Sequence, residues 1–269
     1  VGAMYYTGEG VEQDYVQAAN WYEKAAEQGN TSAQRNLGVM YYTGEGVEQD
    51  NNKAVEWYEK AAEQGNTSAQ RNLGVMYDFG QGVEQDYNKA VEWYEKAAEQ
   101  GNAQAQYNLG VMYAQGQGVE QDYTQAYRWY EKAAEQGDAG AQNNLGIMYY
   151  HGQGVEQDYA QAFGWYEKAA EQGNAQAQNN LGVMYAQGQG VEQDYTQAYR
   201  WYEKAAEQGE VDAQHNLGVM YQLGLGVEQD YKKAIEWYEK AAEQGDVDAQ
   251  TNLGVSYAKG KGVEQDYAL

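Results

Sequence analysis

Several residue types that support common protein classes are missing from this chain of 269 residues. It contains no cysteine and no proline, and only 2 phenylalanines beside 28 tyrosines. Without cysteine the chain has no disulfide framework, no thiolate metal site and no cysteine nucleophile. No apolar run approaches the roughly 20 residues of a membrane-spanning helix, so we expect a soluble chain without membrane insertion. The skewed composition indicates a repetitive sequence.

A period of 36 residues dominates the sequence, and the 7 tryptophans all recur at this spacing. Counting each repeat from Asn30 gives six full repeats over 30–245, with partial repeats at 1–29 and 246–269. Self-similarity at such a period is typical of solenoids, so we expect a single repeat array. Both ends fall inside a repeat and the first residue is not methionine, which suggests a processed or excised region.

Each repeat is predicted to contain two amphipathic helices joined by a glycine-rich loop. In residues 102–137, Asn102 is placed to cap a first helix whose apolar residues recur at helical spacing until Gly116. Asp122 is placed to cap a second helix, with Gln125 in a capping-box arrangement. A single pair of such helices cannot bury both apolar stripes, whereas stacked neighbours can. The pattern predicts an all-α protein, a right-handed α-solenoid of antiparallel helix pairs.

The repeat resembles the Sel1-like repeat, a relative of the tetratricopeptide repeat. The resemblance is carried by the run AQYNLGVMYAQGQGVEQDYTQAYRWYEKAAEQG and extends over the whole chain. It implies an adaptor that assembles protein complexes, in a family with many bacterial and some exported members. Related repeats that grip a peptide's terminal carboxylate carry Asn after the first-helix glycine. This chain has Val or Ile there, as at Val75, so that clamp is not expected.

The net charge of −24 belongs mainly to the repeated scaffold. Acidic residues equivalent to Glu48, Asp50 and Glu59 recur from repeat to repeat, whereas charges at variable positions nearly cancel. An acidic chain disfavours nucleic acid and anionic membranes as partners, because phosphate binding draws on clustered Lys and Arg. The charge favours solubility and the steering of basic ligands, but it does not identify a partner.

Comparing the repeats with one another separates constant from variable positions on the first helix. Positions four, five, seven, eight, nine, eleven and twelve are constant, apart from Ser256, and surround the apolar stripe. The variable positions two, three, six, thirteen and fourteen fall on the opposite arc, around a Val ladder at position ten. We expect the constant arc and the tryptophan row to form the core. By resemblance to related solenoids, the variable arc is expected to form a concave surface suited to a peptide or helix.

The candidate partner-binding residues lie at positions six and thirteen of this arc. Arg35 and Arg71 are one repeat apart and are able to hold an acidic side chain or a carboxylate through charge-assisted hydrogen bonds. Arg and Tyr are also typical of binding hot spots. The candidates are Arg35, Tyr42, Arg71, Asp78, Tyr107, Asn143, Tyr150, Asn179, His215 and Gln222. Two other interpretations stay open: solvent positions that drifted after duplication, and contacts between copies of the chain.

Motifs for catalysis or metal binding are weak. His151 and His215, the only histidines, lie almost two repeats apart at different helical positions, which disfavours a shared metal or a nucleophile and base pair. Glu84 and Asp86 offer two carboxylates where calcium takes about six to eight oxygens, so Asp86 is better explained as a helix cap. The Gly-x-Gly loops lack the other residues of a phosphate-binding loop and predict a helix stop and tight turn. We expect a non-enzymatic protein with no cofactor and no metal.

Three functions are compatible with this sequence. The first is a non-enzymatic adaptor that binds a peptide or protein segment on the concave face. The second is a structural array that associates end to end through exposed stripes, including Tyr5 and Leu269. The third is an engineered consensus scaffold without an evolved ligand, because residues 102–137 and 174–209 differ only at Tyr107 and Asn179. The partner and the compartment, cytoplasmic or exported, are open.

Overall fold

A computed structural model describes residues 1–262 of the chain, and within this range it contains fifteen helices and no strand. The first helices of successive repeats are α1 (Gly2–Thr7), α3 (Thr31–Thr43), α5 (Thr67–Phe79), α7 (Ala103–Gln115), α9 (Ala139–His151), α11 (Ala175–Gln187), α13 (Val211–Leu223) and α15 (Val247–Lys259). The second helices are α2 (Tyr15–Glu27), α4 (Asn51–Glu63), α6 (Tyr87–Glu99), α8 (Tyr123–Glu135), α10 (Tyr159–Glu171), α12 (Tyr195–Glu207) and α14 (Tyr231–Glu243). None of these helices is long and apolar enough to cross a bilayer.

The helix ends are set by the predicted residues. The backbone N–H of Ala105 donates to Asn102 Oδ1 at 2.8 Å, which caps α7, and the N–H of Gln125 donates to Asp122 Oδ1 at 3.0 Å, which caps α8. Gly116 ends α7 in the left-handed region with φ 70°. The alternation of first and second helices follows the 36-residue period, which confirms the predicted all-α solenoid class.

The chain divides into two compact units, one of residues 1–136 and one that begins at Gly137. Within each unit the two helices of a repeat pack on each other, and each second helix packs on the next first helix. Leu73 and Leu109 are fully buried in the first unit, and Leu181 and Leu217 in the second. The core therefore runs through each unit from repeat to repeat. The single array predicted from the period stays a prediction.

The paired Leu-Gly of the first helix is explained by a tyrosine of the second helix. A Cβ at Gly74 would lie 2.5 Å from the ring of Tyr94, and one at Gly182 would lie 2.7 Å from the ring of Tyr202. Glycine thus lets the tyrosine ring lie directly against the first-helix backbone. The buried Tyr94 and Tyr202 fill the space between the two helices of their repeats.

The second glycine of the Gly-x-Gly loop forms a joint with the preceding repeat. Gly82 has φ 72°, and a Cβ there would overlap the backbone carbonyl of Asn51 at the start of α4. Gly190 has the same relation to Tyr159 in the second unit. The sequence predicts a tight turn here, and the structure shows that the turn also lies directly on the neighbouring repeat.

A buried glutamine at position five links three helices. Gln70 Nε2 donates to the carbonyl of Ala62 in the preceding repeat at 3.1 Å, and Gln70 Oε1 accepts from Gln100 Nε2 at 2.6 Å. Only 5% of Gln70 is exposed. Because buried polar groups must be hydrogen-bonded, this position accepts little besides glutamine. Position five was predicted to face the packed side, but its hydrogen bonds were not predicted.

The tryptophan row is not the core that the sequence predicted. Trp57 is half-buried and Trp21 is 42% exposed, whereas the adjacent Tyr58 is buried. Lys60 Nζ lies 4.0 Å from the centroid of the Trp57 ring. Residues three apart are neighbours on a helix surface, so the lysine three residues after each tryptophan reaches its ring. Lys60 is exposed, but its ammonium is stacked on an aromatic face.

End-to-end association was predicted through stripes at both ends of the chain. Tyr5 lies in α1 and packs, half-buried, against the core of the first repeats. Leu269 lies outside the described residues. The stripe that contains Tyr5 therefore has an apolar contact within the described residues. End-to-end association itself stays a prediction.

Candidate functional site

Positions six, ten and thirteen of neighbouring first helices come together at the junction between α3 and α5. In the first unit they line a cavity of about 230 Å³ between α3 and α5. Its lining residues are Val39, Tyr42, Tyr58, Arg71, Asn72, Val75 and Met76. Two of the predicted site residues, Tyr42 and Arg71, thus face the same space, and we call it the α3/α5 cavity.

Both arginines of the candidate site bond the asparagine that follows them. Arg35 Nη1 donates to Asn36 Oδ1 at 2.8 Å, and Arg71 Nη1 donates to Asn72 Oδ1 at 2.9 Å. A guanidinium carries five N–H donors, and each of these bonds uses one. Burial raises the pKa of Tyr58 to about 12, and the charges of Arg35 and Arg71 oppose that rise. Both positive charges therefore act on the hydroxyl of a residue that lines the α3/α5 cavity.

The junction between α5 and α7 carries a carboxylate where the α3/α5 cavity has Tyr42. The hydroxyl of Tyr94 donates to Asp78 Oδ2 at 3.2 Å. Burial raises the pKa of the Asp78 carboxyl, and the hydrogen bond from Tyr94 opposes this shift. Tyr107 takes the place of Arg71 in this junction, and its ring centroid lies 6.0 Å from that of Tyr130. The sign of the charge thus changes from one junction to the next.

The tyrosines at position thirteen also reach the loop of the following repeat. The hydroxyl of Tyr42 donates to Gln81 Oε1 at 3.1 Å, and that of Tyr150 donates to Gln189 Oε1 at 2.7 Å. Both tyrosines are half-buried. They are therefore not the unconstrained solvent positions that the drift interpretation supposed. A sequence comparison alone offered no signal for these contacts, because each joins residues 39 positions apart.

In the second unit, position six forms hydrogen bonds between repeats. Asn180 Nδ2 donates to Asn143 Oδ1 at 3.1 Å, and Asn216 Nδ2 donates to Asn179 Oδ1 at 3.1 Å. We call these two contacts the amide ladder. Asn143 is 2% exposed and Asn179 is 6% exposed, so these two predicted site residues are buried rather than presented to a partner. The constant asparagine at position seven, here Asn180 and Asn216, thus bonds a side chain of the preceding repeat.

The amide ladder continues to His215, whose Nε2 lies 3.1 Å from Asn252 Nδ2. The His215 ring also lies 5.8 Å from the ring of Tyr238. The hydroxyl of Tyr238 donates to Gln222 Oε1 at 3.0 Å, so this last candidate residue contacts the second helix of its own repeat. The structure thus places these two candidates around one buried tyrosine.

The second unit has its own cavity at the equivalent place, between α9 and α11. It measures about 260 Å³ and is lined by Ile147, Tyr150, His151, Tyr166, Asn180 and Val183. No arginine or lysine is among these lining residues. The two cavities are therefore similar in size and in their aliphatic and tyrosine groups, but they differ in charge.

The chemistry available at these junctions is that of noncovalent recognition. Guanidinium, phenol, amide and aliphatic groups alternate along the first helices. Within residues 1–262, no three His, Asp or Glu side chains come close enough together to hold a metal ion.

Comparison with known proteins identifies the repeat. A family model described as Sel1 repeat matches eight segments, which together cover the whole chain: 1–30, 31–66, 67–102, 103–138, 139–174, 175–210, 211–246 and 247–269. These segments are offset by one residue from the repeats counted from Asn30. A comparison with curated proteins finds no match.

Two solved structures are similar to this chain over most of its length. A protective antigen present in uropathogenic Escherichia coli strains, which displays an SLR fold, is 48% identical, with a TM-score of 0.88. That match covers 96% of this chain and 56% of the antigen, so the chain spans little more than half of that protein. A Sel1 repeat protein from Oxalobacter formigenes is 38% identical, with a TM-score of 0.81, and the match covers 89% of this chain and 94% of that one.

Proposed function

Because this chain belongs to the Sel1 repeat family of protein-interaction repeats, we propose that it is a non-enzymatic adaptor that binds a peptide or protein segment along its first helices. Members of the family are typically non-catalytic adaptors. The surface involved is the variable arc with positions six and thirteen around the Val ladder at position ten, which is expected to be concave by resemblance to related solenoids.

The α3/α5 cavity is the observation that supports this proposal most directly. Val39 and Val75 provide apolar walls, and Tyr42 and Arg71 provide polar groups. A partner side chain that enters the cavity buries its apolar atoms against the valines while its polar end reaches the guanidinium. An apolar recess with a few placed polar groups is typical of recognition sites.

The distribution of charge also favours the first helices over the second helices as the binding surface. In residues 1–136, the first helices carry Arg35, Arg71 and Asp78 as their only charged residues. The second helices carry the recurrent Glu and Lys residues. Binding on the first helices therefore requires the desolvation of few charges, which keeps the unfavourable part of the binding energy small.

The proposal is tested with an array of random synthetic peptides probed with the fluorescently labelled chain. The tightest peptide is then titrated by calorimetry into the wild type, the Arg35→Ala/Arg71→Ala double variant and Arg128→Ala. Arg128 is an exposed arginine of α8 and serves as the control. We expect the double variant to bind at least about tenfold more weakly and the control to bind unchanged. Equal affinity of the double variant and the wild type would show that the site is wrongly assigned.

A further inference from the structure

We propose that the cavity between α9 and α11 in the second unit binds one glutamine side chain of the segment that the adaptor holds, and that the hydroxyl of Tyr166 selects it. We call this space the α9/α11 cavity. The inference rests on the proposed adaptor function and names a side chain that the second unit recognises.

The hydroxyl of Tyr166 lacks the partner that two equivalent tyrosines have. Tyr94 donates to Asp78 Oδ2 at 3.2 Å, and Tyr238 donates to Gln222 Oε1 at 3.0 Å. In both repeats the acceptor lies at position thirteen of the first helix. Within residues 1–262 no hydrogen bond is made by the hydroxyl of Tyr166, although only 3% of this residue is exposed and it lines the cavity. Because buried polar groups are normally hydrogen-bonded, this hydroxyl is a donor that a ligand can satisfy.

The neighbouring polar groups bond other residues. Tyr150 occupies position thirteen beside Tyr166, but its hydroxyl donates to Gln189 Oε1 of the next repeat at 2.7 Å. Asn180 Nδ2 donates to Asn143 Oδ1 at 3.1 Å, which leaves Asn180 Oδ1 as an acceptor. Burial raises the pKa of Tyr166, and the nearby Tyr150 adds to this rise, so the hydroxyl keeps its proton at neutral pH. The cavity therefore offers one donor and one acceptor.

The rest of the cavity is apolar or uncharged. Ile147 and Val183 form aliphatic walls, and no Asp, Glu, Lys or Arg is among the lining residues. His151 is exposed at the rim, where solvent screens any charge on its ring. The volume of about 260 Å³ lies below the roughly 300 to 1,000 Å³ of small-molecule sites, which favours a single side chain as the occupant.

Glutamine matches these groups better than the side chains closest to it in size. Its Oε1 accepts from the Tyr166 hydroxyl, its Nε2 donates to Asn180 Oδ1, and its two methylene groups pack on the aliphatic walls. Glutamate has the same shape, but it would bring an unpaired negative charge into a buried space. Leucine fills a similar space, but it would seal the hydroxyl away from solvent without an acceptor. Asparagine is one methylene shorter and reaches less deeply.

The test uses an array of synthetic nonapeptides arranged in sets of four. The members of a set share the same random flanking residues and differ only at the fifth residue, which is Gln, Asn, Glu or Leu. The fluorescently labelled wild type and Tyr166→Phe are applied to the array in parallel, and sets that distinguish them are titrated by calorimetry. We expect the Gln member of these sets to bind the wild type at least about tenfold more tightly than the Glu and Leu members.

Variants of the chain then assign the contact to one hydroxyl. Tyr166→Phe is expected to lower the affinity of the Gln member to that of the Leu member. The control is Tyr202→Phe, which removes the same hydroxyl one repeat later, outside this cavity, and should leave the affinity unchanged.

Thermal unfolding separates a lost contact from a damaged fold. The Tyr166 hydroxyl bonds nothing within the described residues, so Tyr166→Phe should keep the melting temperature of the wild type. Tyr238→Phe removes the bond to Gln222 and should lower it. A fall in the melting temperature of Tyr166→Phe as large as that of Tyr238→Phe would show that the hydroxyl has a structural role, and it would overturn the inference.

The possible results also separate this inference from the adaptor function. The inference is overturned if no set distinguishes Tyr166→Phe from the wild type, if the Glu or Leu member binds as tightly as the Gln member, or if Tyr202→Phe has the same effect. The adaptor function stands in each of these cases as long as peptides from the random array depend on Arg35 and Arg71. If the array yields no such peptide, the proposed function itself fails.

Discussion

The two units are built from the same repeat but differ at position six of their first helices. In the first unit Arg71 bonds Asn72 of its own helix and lines an open cavity with its guanidinium. In the second unit Asn179 is buried and accepts a bond from Asn216 of the following repeat. The residue at position six therefore decides whether a junction between repeats is held by a hydrogen bond between two side-chain amides or carries a charged side chain.

This difference separates two kinds of residue in the repeat. Framework residues such as Gly82 and Gly190 make the same contact in both units. Residues at position six make different contacts on an unchanged framework. If this distinction is correct, substitutions in the framework have equal effects in the two units, and substitutions at position six have unequal effects.

The largest effect is expected at the loop glycine that lies on the preceding repeat. Gly82→Ala forces a left-handed backbone on alanine and drives its Cβ into the carbonyl of Asn51. We expect a loss of about 3 kcal/mol or more in the free energy of unfolding, measured by urea titration with circular dichroism. Gly190→Ala is expected to lose a similar amount in the second unit.

A second glycine serves as a control that separates the two causes of this loss in stability, which are backbone strain and the clash with the preceding repeat. Gly101 also has positive φ, at 87°, but a Cβ there meets no atom within 4 Å. Gly101→Ala should therefore cost only the backbone strain, about 1 to 2 kcal/mol. A loss at Gly101 as large as at Gly82 would mean that contact between repeats contributes nothing at this joint.

Alkaline pH is expected to destabilise both units through their buried tyrosines. Burial raises the pKa of both Tyr58 and Tyr238 to about 12, from an ordinary value near 10. Stability from a raised pKa is fully present below pH 10 and is lost as the pH rises through 12. Relative to Tyr58→Phe, the wild type should therefore lose about 2 kcal/mol between pH 10 and 12, measured by urea unfolding at each pH.

Tyr238→Phe is the matched variant in the second unit and should show the same dependence. The difference between the two phenylalanine variants tests whether the framework is equivalent. A difference between wild type and Tyr58→Phe that stays constant from pH 9 to 12 would contradict the raised pKa.

Position six should show the unequal effects that distinguish the units. Asn179→Ala leaves the half-buried amide of Asn216 without its acceptor and is expected to cost about 1 to 2 kcal/mol. Arg71→Ala removes a half-buried charge whose described hydrogen bond is to Asn72 of its own helix, and it is expected to cost about 0.5 kcal/mol or less. Hydrogen exchange of each unit, followed by mass spectrometry, measures both.

A substitution in the other direction sharpens the same comparison. Arg71→Asn places an amide where it can accept from Asn108, 37 residues later, as Asn143 accepts from Asn180. We expect this variant to gain up to about 1 kcal/mol in stability while it loses affinity for a peptide. If it becomes less stable than Arg71→Ala, the amide ladder depends on more than position six.

A small effect, comparable to that of Arg71→Ala, is expected where lysine covers tryptophan. Lys96 Nζ lies 3.9 Å from the Trp93 ring centroid and Lys204 Nζ lies 4.1 Å from that of Trp201. Lys96→Gln and Lys204→Gln should each cost about 0.5 kcal/mol, as exposed cation-π contacts do, and both should change tryptophan fluorescence. A clearly larger loss in one unit would show that this outer face is not equivalent in the two.

Much of the fold was predictable because its determinants are local. Helix caps such as Asn102 and Asp122 lie within three residues of the N–H groups that they bind, and Gly116 marks a helix end by its own backbone. The 36-residue period predicted the stacking of the repeats, because such short helices can bury their apolar stripes only against neighbouring repeats.

The features that sequence reasoning missed depend on partners in other helices. Gln70 and Gln100 are 30 residues apart, and the bond of Tyr42 with Gln81 spans 39. Whether the asparagine at position six points to a partner or to the next repeat depends on the distance between first helices, which the period does not give. The burial of Asn143 could not be predicted for this reason. The position of the tryptophan row at the edge of the contact between helices could not be predicted either.

The close fit of Gly82 on the helix start of the preceding repeat has a genetic consequence. Each repeat contributes one side of the contact with the repeat before it and one side of the contact with the repeat after it. Unequal crossing-over that adds or removes a 36-residue stretch therefore brings matching contact surfaces together again. The gene can lengthen or shorten by whole repeats without a new interface, whereas an insertion or deletion that is not a multiple of 36 residues breaks a joint. Natural selection then acts on the few side chains that lie between these contacts.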